Sequence, residues 1–116
     1  MGLRKEGQIV LFRFPQTDIS ESKLRPALLI TKIPGKHPDW LICMITSQMK
    51  HFQSEFDDNI NEKDDDFNMT GLKSESIVRT TRIAVVDEKI LLGKIGEISS
   101  ERLKRIKQKI AFWILG

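Results

Sequence analysis

The stretch "RPALLITKIPGKHPDWLICMITSQ", Arg25 to Gln48, holds two short apolar runs around a polar interruption. "RPALLIT" and "WLICMIT" are rich in β-branched residues, and the intervening "KIPGKHPD" carries the prolines and glycine of a turn. The pattern predicts two strands paired antiparallel. The second is apolar on both faces and therefore central in its sheet. A polar pair, Arg25-Pro26, opens the first strand, where a missing backbone donor costs little. A polar triplet, Thr46-Ser47-Gln48, closes the second. A short turn sets the start of one strand beside the end of the other, so Arg25 and Thr46 are expected at one rim.

Working outward, "GQIVLFRFP" reads as a preceding strand punctuated by Gly7 and Pro15, followed by the polar loop "QTDISESK". "ESIVRTTRIAVVD" returns to strand composition, and "KIGEIS" adds a shorter strand. Between them, "SQMKHFQSEF" has room for a helical turn or two, and "DDNINEKDDDFNMTGL" reads as a mobile acidic excursion. At the C-terminal end Ser99 or Ser100 offers an N-cap and Glu101 suits a first turn. Leu103, Ile106, Ile110 and Trp113 then recur on one helical face, and Arg102, Lys104, Arg105, Lys107 and Lys109 fill the rest as a solvated surface. The expected fold is mainly β, a small barrel or sandwich with a C-terminal α-helix. It forms one domain over residues 1–116, with a variable acidic loop around 51–74.

Charge is unevenly spread. Residues 55–66, "EFDDNINEKDDD", hold seven acids and one lysine, a net of −6; against +3 for the whole chain this leaves +9 elsewhere. A body this basic suits a polyanion such as nucleic acid, and equally a well-solvated surface. The single cysteine, Cys43, excludes an intramolecular disulfide and lies in an apolar run as a small buried hydrophobe. The N-terminal residues show no secretory signal, and no apolar stretch reaches the ~20 residues that span a bilayer, so the cytoplasm is the expected location, with no membrane partner.

Several chemistries fail by motif. Read as a calcium loop from Asp57, the acidic run puts Glu62 where glycine is required and Asn68 where a bidentate acid is required. His37 and His51 stand apart without zinc-ligand spacing, and no phosphate-cradling glycine loop or serine-hydrolase elbow occurs. The expectation is a protein without a metal or other cofactor. What remains is the rim. A guanidinium fork beside hydroxyl donors suits a phosphate. The same residues are also explained by Arg25 bridging to Asp18 or Glu21 while Thr46 caps a turn.

The segments "GQIVLFRFPQTD", "SKLRPALLIT", "LICMITSQ", "GLKSESIVRTTRI" and "KIGEIS", in this order, resemble the MazF/PemK (Kid-like) family of toxins from type II toxin–antitoxin modules. The resemblance runs from about Gly7 to Leu115. It implies an SH3-like barrel with added helices, a homodimer, and metal-independent cleavage of single-stranded RNA (mRNA interferase activity) checked by a cognate antitoxin protein. The 2′-hydroxyl would attack the adjacent phosphate and leave a 2′,3′-cyclic phosphate. By the same resemblance Arg25 and Thr46 are catalytic, with Glu21 a candidate proton acceptor or a loop acid that tethers Arg25. Phe14, Thr17, Ser47, Gln48, Arg79 and Arg82 form the implied RNA-binding set. One position departs from the family: Ala84 fills the usual arginine slot, and Arg82, two residues earlier, is the expected substitute on the same face. Two other classes stay open, a CcdB-like toxin that binds a protein without catalysis and a plain SH3-like RNA-binding module.

Overall fold

The computed structural model describes residues 4–14 and 23–116, except for the side chains of Phe14 and Lys23. The polar loop with Thr17 and Glu21 lies outside the described residues. Six strands appear in chain order: β1 (Gln8–Phe14), β2 (Lys23–Lys32), β3 (Asp39–Thr46), β4 (Asp58–Ile60), β5 (Ser76–Asp87) and β6 (Lys94–Glu97). A one-turn helix α1 (Phe67–Thr70) precedes β5, and α2 (Ser100–Leu115) ends the chain. All pairings are antiparallel, in the order β4-β5-β3-β2-β1-β6, and the sheet curls into a half-barrel. The expected pair is β2–β3, and β3 is central as predicted, flanked by β2 and β5. Among the described residues no helix is long and apolar enough to cross a membrane.

Period-two alternation sorts the strand residues onto two faces. In β3, Cys43 and Ile45 join Ile9, Leu28 and Val78 in the core under α2, where Ile106 and Ile110 seat the helix. Trp40 and Ile42 face the other way, with Val10, Phe12, Ala27, Leu29 and Leu91. Burying both faces is why this strand carries no charged or hydroxyl side chain between Trp40 and Ile45. Ser99 caps α2, its hydroxyl accepting from the Arg102 amide at 3.2 Å.

Strand β5 carries a bend that alternation alone does not reveal. Cys43 pairs with Ile83 while the next residue, Met44, pairs with Arg79, so Thr80, Thr81 and Arg82 are extra on β5. This bulge is tied down on two sides: the buried Thr80 hydroxyl donates to the Phe56 carbonyl at 2.6 Å, and Trp113 Nε1 donates to the Thr80 carbonyl at 3.1 Å. Because the bulge removes Arg82 from regular pairing, its spacing from Ala84 does not set a common face.

The acidic run is likewise not a mobile excursion. It forms β4, then a turn in which Asp64 accepts from the Asn61 amide at 2.9 Å, then α1. At the end of α1 the chain crosses β6 backbone to backbone. Gly71 takes the left-handed conformation (φ 73°), and a Cβ there would lie 2.0 Å from the Ile95 carbonyl oxygen. A Cβ on Gly96 would lie 2.2 Å from the backbone of Thr70. Both positions need glycine because no side-chain atom fits between the chains. Replacing Gly96 by alanine is therefore expected to lower the unfolding free energy by about 1–3 kcal/mol or more in urea denaturation. Gly93→Ala, where the added methyl group meets nothing within 4 Å, should stay within about 0.5 kcal/mol of the parent.

Candidate functional site

One mouth of the half-barrel holds a cleft of about 440 Å³, and its lining follows the strand order. Ile45 and Thr46 come from β3, Arg25 and Pro26 from β2, Leu11 from β1 and Ile95 from β6. The segment from Gly71 to Ser74 then crosses back to Ser76 on β5, the other neighbour of β3. The rim thus closes on itself. In that ring β2 stands opposite the Gly71–Ser74 segment.

Pro26 explains why the cleft opens here. The β2–β3 ladder begins at Ala27 opposite Met44, and Pro26, one residue earlier, has no amide with which to extend it. Continuing the register would set Arg25 against Thr46, so the two sit at adjoining strand ends around an unpaired gap. Both line the cleft, as does Ser47. Thr46 is buried, and its Oγ1 accepts from the Gln48 amide at 3.1 Å. That bond fixes the hydroxyl oxygen and leaves its proton available to a guest.

Among the described residues, the charges lining the cleft are all of one sign. Arg25 and Lys73 line it, together with the hydroxyls of Thr46, Ser47, Ser74 and Ser76, and no described lining residue is acidic. Neither cation has an ion-pair partner among the described residues. Glu75, the nearest acid in sequence, accepts a hydrogen bond from the Asn61 side chain at 3.2 Å and does not line the cleft. A concave mouth with two cations and no carboxylate among its described lining residues suits an anionic chain. Lys73 was not singled out from the sequence. Its only signal is a cation beside Gly71 at the end of a short helix.

The remaining sequence-derived residues divide. Phe14 lies on β1, while its side chain, like Thr17 and Glu21, lies outside the described residues. Gln48 turns its side-chain oxygen to His51 Nε2 at 3.2 Å and does not line the cleft. Arg82 is exposed on the bulge. Arg79 is half-buried opposite Met44, with its Nε buried and lacking a hydrogen-bond partner among the described residues. Neither arginine lines the cleft. Burial, followed by the nearby Asp57 charge, pushes the Cys43 thiol far up, which fits its expected role as a hydrophobe.

Behind the Gly71–Ser74 segment lies a group that the sequence reading placed in solvent. Arg102 is only 5% exposed. Its guanidinium donates to Asp66 through Nε and Nη2, both at 2.8 Å, to Asp58 through Nη1 at 2.6 Å and to Asp64 through Nη2 at 2.7 Å. The Asn59 carbonyl accepts a further bond from Nη1 at 2.9 Å. Arg105 Nε adds a bond to Asp58 at 2.7 Å, and Lys109 stands 3.8 Å from the same carboxylate. Three cations meet three carboxylates. The expectation of a wholly solvated cationic face is corrected accordingly: Arg102, Ile106 and Ile110 form the buried stripe of α2, at spacings of four.

A model of the family described as PemK-like, MazF-like toxin of type II toxin–antitoxin system matches residues 5–114. A search among curated proteins finds no match. Among solved structures, the Mycobacterium tuberculosis toxin MazF-mt6 superposes with a TM-score of 0.66 at 16% identity, covering 90% of this chain and 93% of that one. A mycobacterial endoribonuclease in complex with its cognate antitoxin gives 0.68 at 14% identity, covering 97% and 95%. At such identities the likeness is one of fold.

The Arg102 guanidinium, more than any other neighbour, holds the Asp66 carboxyl down at about 2, with the Ser99 amide assisting and burial opposing. Asp64 is lowered too, first by the Asn61 amide and then by Arg102. A carboxylate depressed in the folded state contributes stability above its unfolded value of ~3.9, and that contribution disappears as pH falls toward the folded value. Asp66 alone is expected to make urea stability fall by about 2 kcal/mol between roughly pH 4 and pH 2. In Asp66→Asn this part of the pH dependence should vanish, and stability at neutral pH should fall by about the same 2 kcal/mol; denaturation midpoints across that range provide the check.

Proposed function

Because the chain belongs to the PemK-like, MazF-like toxins of type II toxin–antitoxin systems, we propose that it is an endoribonuclease whose active site is the mouth lined by Arg25 and Thr46. The observation that carries this reading is that both residues line one cleft whose described charges are both cationic. Single-stranded RNA is the substrate class. Its backbone is the anion that such a mouth attracts, and it brings its own nucleophile.

In this mechanism the 2′-hydroxyl attacks the neighbouring phosphorus and loses its proton to a general base. The bond from phosphorus to the 5′-oxygen breaks, and that oxygen takes up a proton. The products are a 2′,3′-cyclic phosphate and a free 5′-hydroxyl. Negative charge grows on the non-bridging oxygens at the phosphorane, so donors aimed there favour the transition state over the bound substrate. Arg25 supplies a charge-assisted fork. Thr46 supplies one hydroxyl proton from an oxygen already fixed by the Gln48 amide. A guanidinium keeps its proton in proteins and so cannot serve as the base. Glu21 is the residue assigned that role, and charge compensation by Arg25 and Lys73 leaves no step that requires a metal.

A cognate antitoxin is the partner that fits this surface, since an acidic segment would compete with RNA for the same cations. The protein acts as a homodimer in the cytoplasm. Phe14, Thr17 and Ser47 contact the RNA near the reacting linkage, while Gln48, Arg79 and Arg82 act outside the cleft lining.

Incubation of the purified protein with mixed-sequence RNA in chelator should give fragments ending in cyclic phosphate. Arg25→Ala and Thr46→Ala should each reduce kcat by about 10²–10³-fold, the loss seen on deleting one oxyanion donor. Retention of RNA without cutting would point to a binding module, inertness toward RNA to a toxin that acts on a protein, and unchanged cleavage by Arg25→Ala would remove the assignment.

A further inference from the structure

The Gly71–Ser74 segment packs on β6, and the polar contacts before and after it lead back to one side chain. Asp66, held by two bonds from Arg102, occupies the N-cap position of α1. The four residues of α1 span about 6 Å at 1.5 Å per residue, too short to absorb a displacement by bending. Its C-terminal residue, Thr70, presses its backbone on Gly96, and Gly71 presses on Ile95. The buried Thr70 hydroxyl accepts from the Leu72 amide at 3.1 Å, one residue before Lys73. At the far end, the Asn61 side chain bonds Glu75, while the Asn61 amide bonds Asp64, itself a partner of Arg102. Both ends of the segment are therefore fastened to the ion cluster.

We propose that Arg102 is a positioning residue for the cleft: its guanidinium, through Asp66 and Asp64, sets where the Gly71–Ser74 segment stands opposite Arg25, and thereby delivers Lys73 to a substrate phosphate next to the one that reacts. Lys73 is the contact group and Arg102 touches no substrate. The assignment of RNA as substrate rests on the reading above; the placement of the segment by Arg102 does not.

The chemistry of the cluster supports a geometric role. A guanidinium offers five donors in a fixed plane, and here that plane orients three carboxylates contributed by β4, the following turn and the α1 cap. A lysine would keep the charge but could not hold three acceptors in fixed directions. Loss of the fork therefore frees the segment while leaving the β2–β3 rim intact.

The test uses the full chain with Arg102→Lys, Asp64→Asn, Lys73→Ala and the Arg102→Lys, Lys73→Ala double variant. Asp64 is the milder site because its side chain is 35% exposed, and it carries the comparison alone should Arg102→Lys fail to fold. Hydrogen exchange should quicken over residues 67–76 in Arg102→Lys and Asp64→Asn, with β1–β3 unchanged. On a defined RNA, each single variant should raise KM by about 10-fold or more with kcat little altered, since the lost contact binds substrate and transition state alike. The double variant should be no worse than Lys73→Ala.

Unchanged exchange over 67–76, exchange raised equally throughout the sheet, or effects on KM that simply multiply would each overturn the proposal. A wild-type protein inert toward RNA, with the segment still loosened in the variants, would remove the RNA reading and leave the positioning role standing.

Discussion

A charged side chain in the interior of a small protein has to be surrounded by its opposites, and Arg102 organises half of this fold on that condition. The residues that satisfy it come from β4, the turn after it and the start of α1, whose Ile60 and Phe67 also pack on the common core. Such a cluster contributes little net stability compared with a well-filled apolar core, because desolvation offsets most of the attraction. What it contributes is direction. Removing a buried partner such as Asp58 or Asp66 leaves interior charge undercompensated, so the arrangement has one geometry that is tolerable and many that are not. The chain from Asp58 to Leu72 is held by that constraint, and one end of the half-barrel is closed as a result.

The same constraint links the two chemical regions of the molecule. The acidic run cancels the inner cations of α2, so it takes no charge from the mouth where Arg25 and Lys73 stand without ion-pair partners among the described residues. A chain with a modest net charge of +3 thereby keeps its positive potential where a guest can reach it.

Much of this was legible from the residues. The β-branched runs and their turn residues announced β1, β2, β3 and β5, and the brevity of "KIPGKHPD" was enough to bring Arg25 beside Thr46. The helical stripe located α2 and its Ser99 cap. The reading stopped where contacts span long stretches of chain. Asp66 and Asp58 meet Arg102 across 36 and 44 residues, and a run of like charges says nothing about a cation so far downstream. Local reasoning assigns such a run to solvent. One clue was present: position 102 lies four residues before Ile106 and eight before Ile110, on the buried face of the helix. The bulge at Thr80–Arg82 was hidden for a related reason, since its anchors, Phe56 and Trp113, lie 24 and 33 residues away.

The crossing of Gly71 and Gly96 over β6 is a joint made of main chain alone. Its close approach depends on the two missing methyl groups. Descendants of this sequence can thus exchange the lysine and serines of that strip for other functional groups without re-solving the joint beneath them. Guest preference can drift there while shape is inherited, which accords with a common architecture persisting at 16% identity.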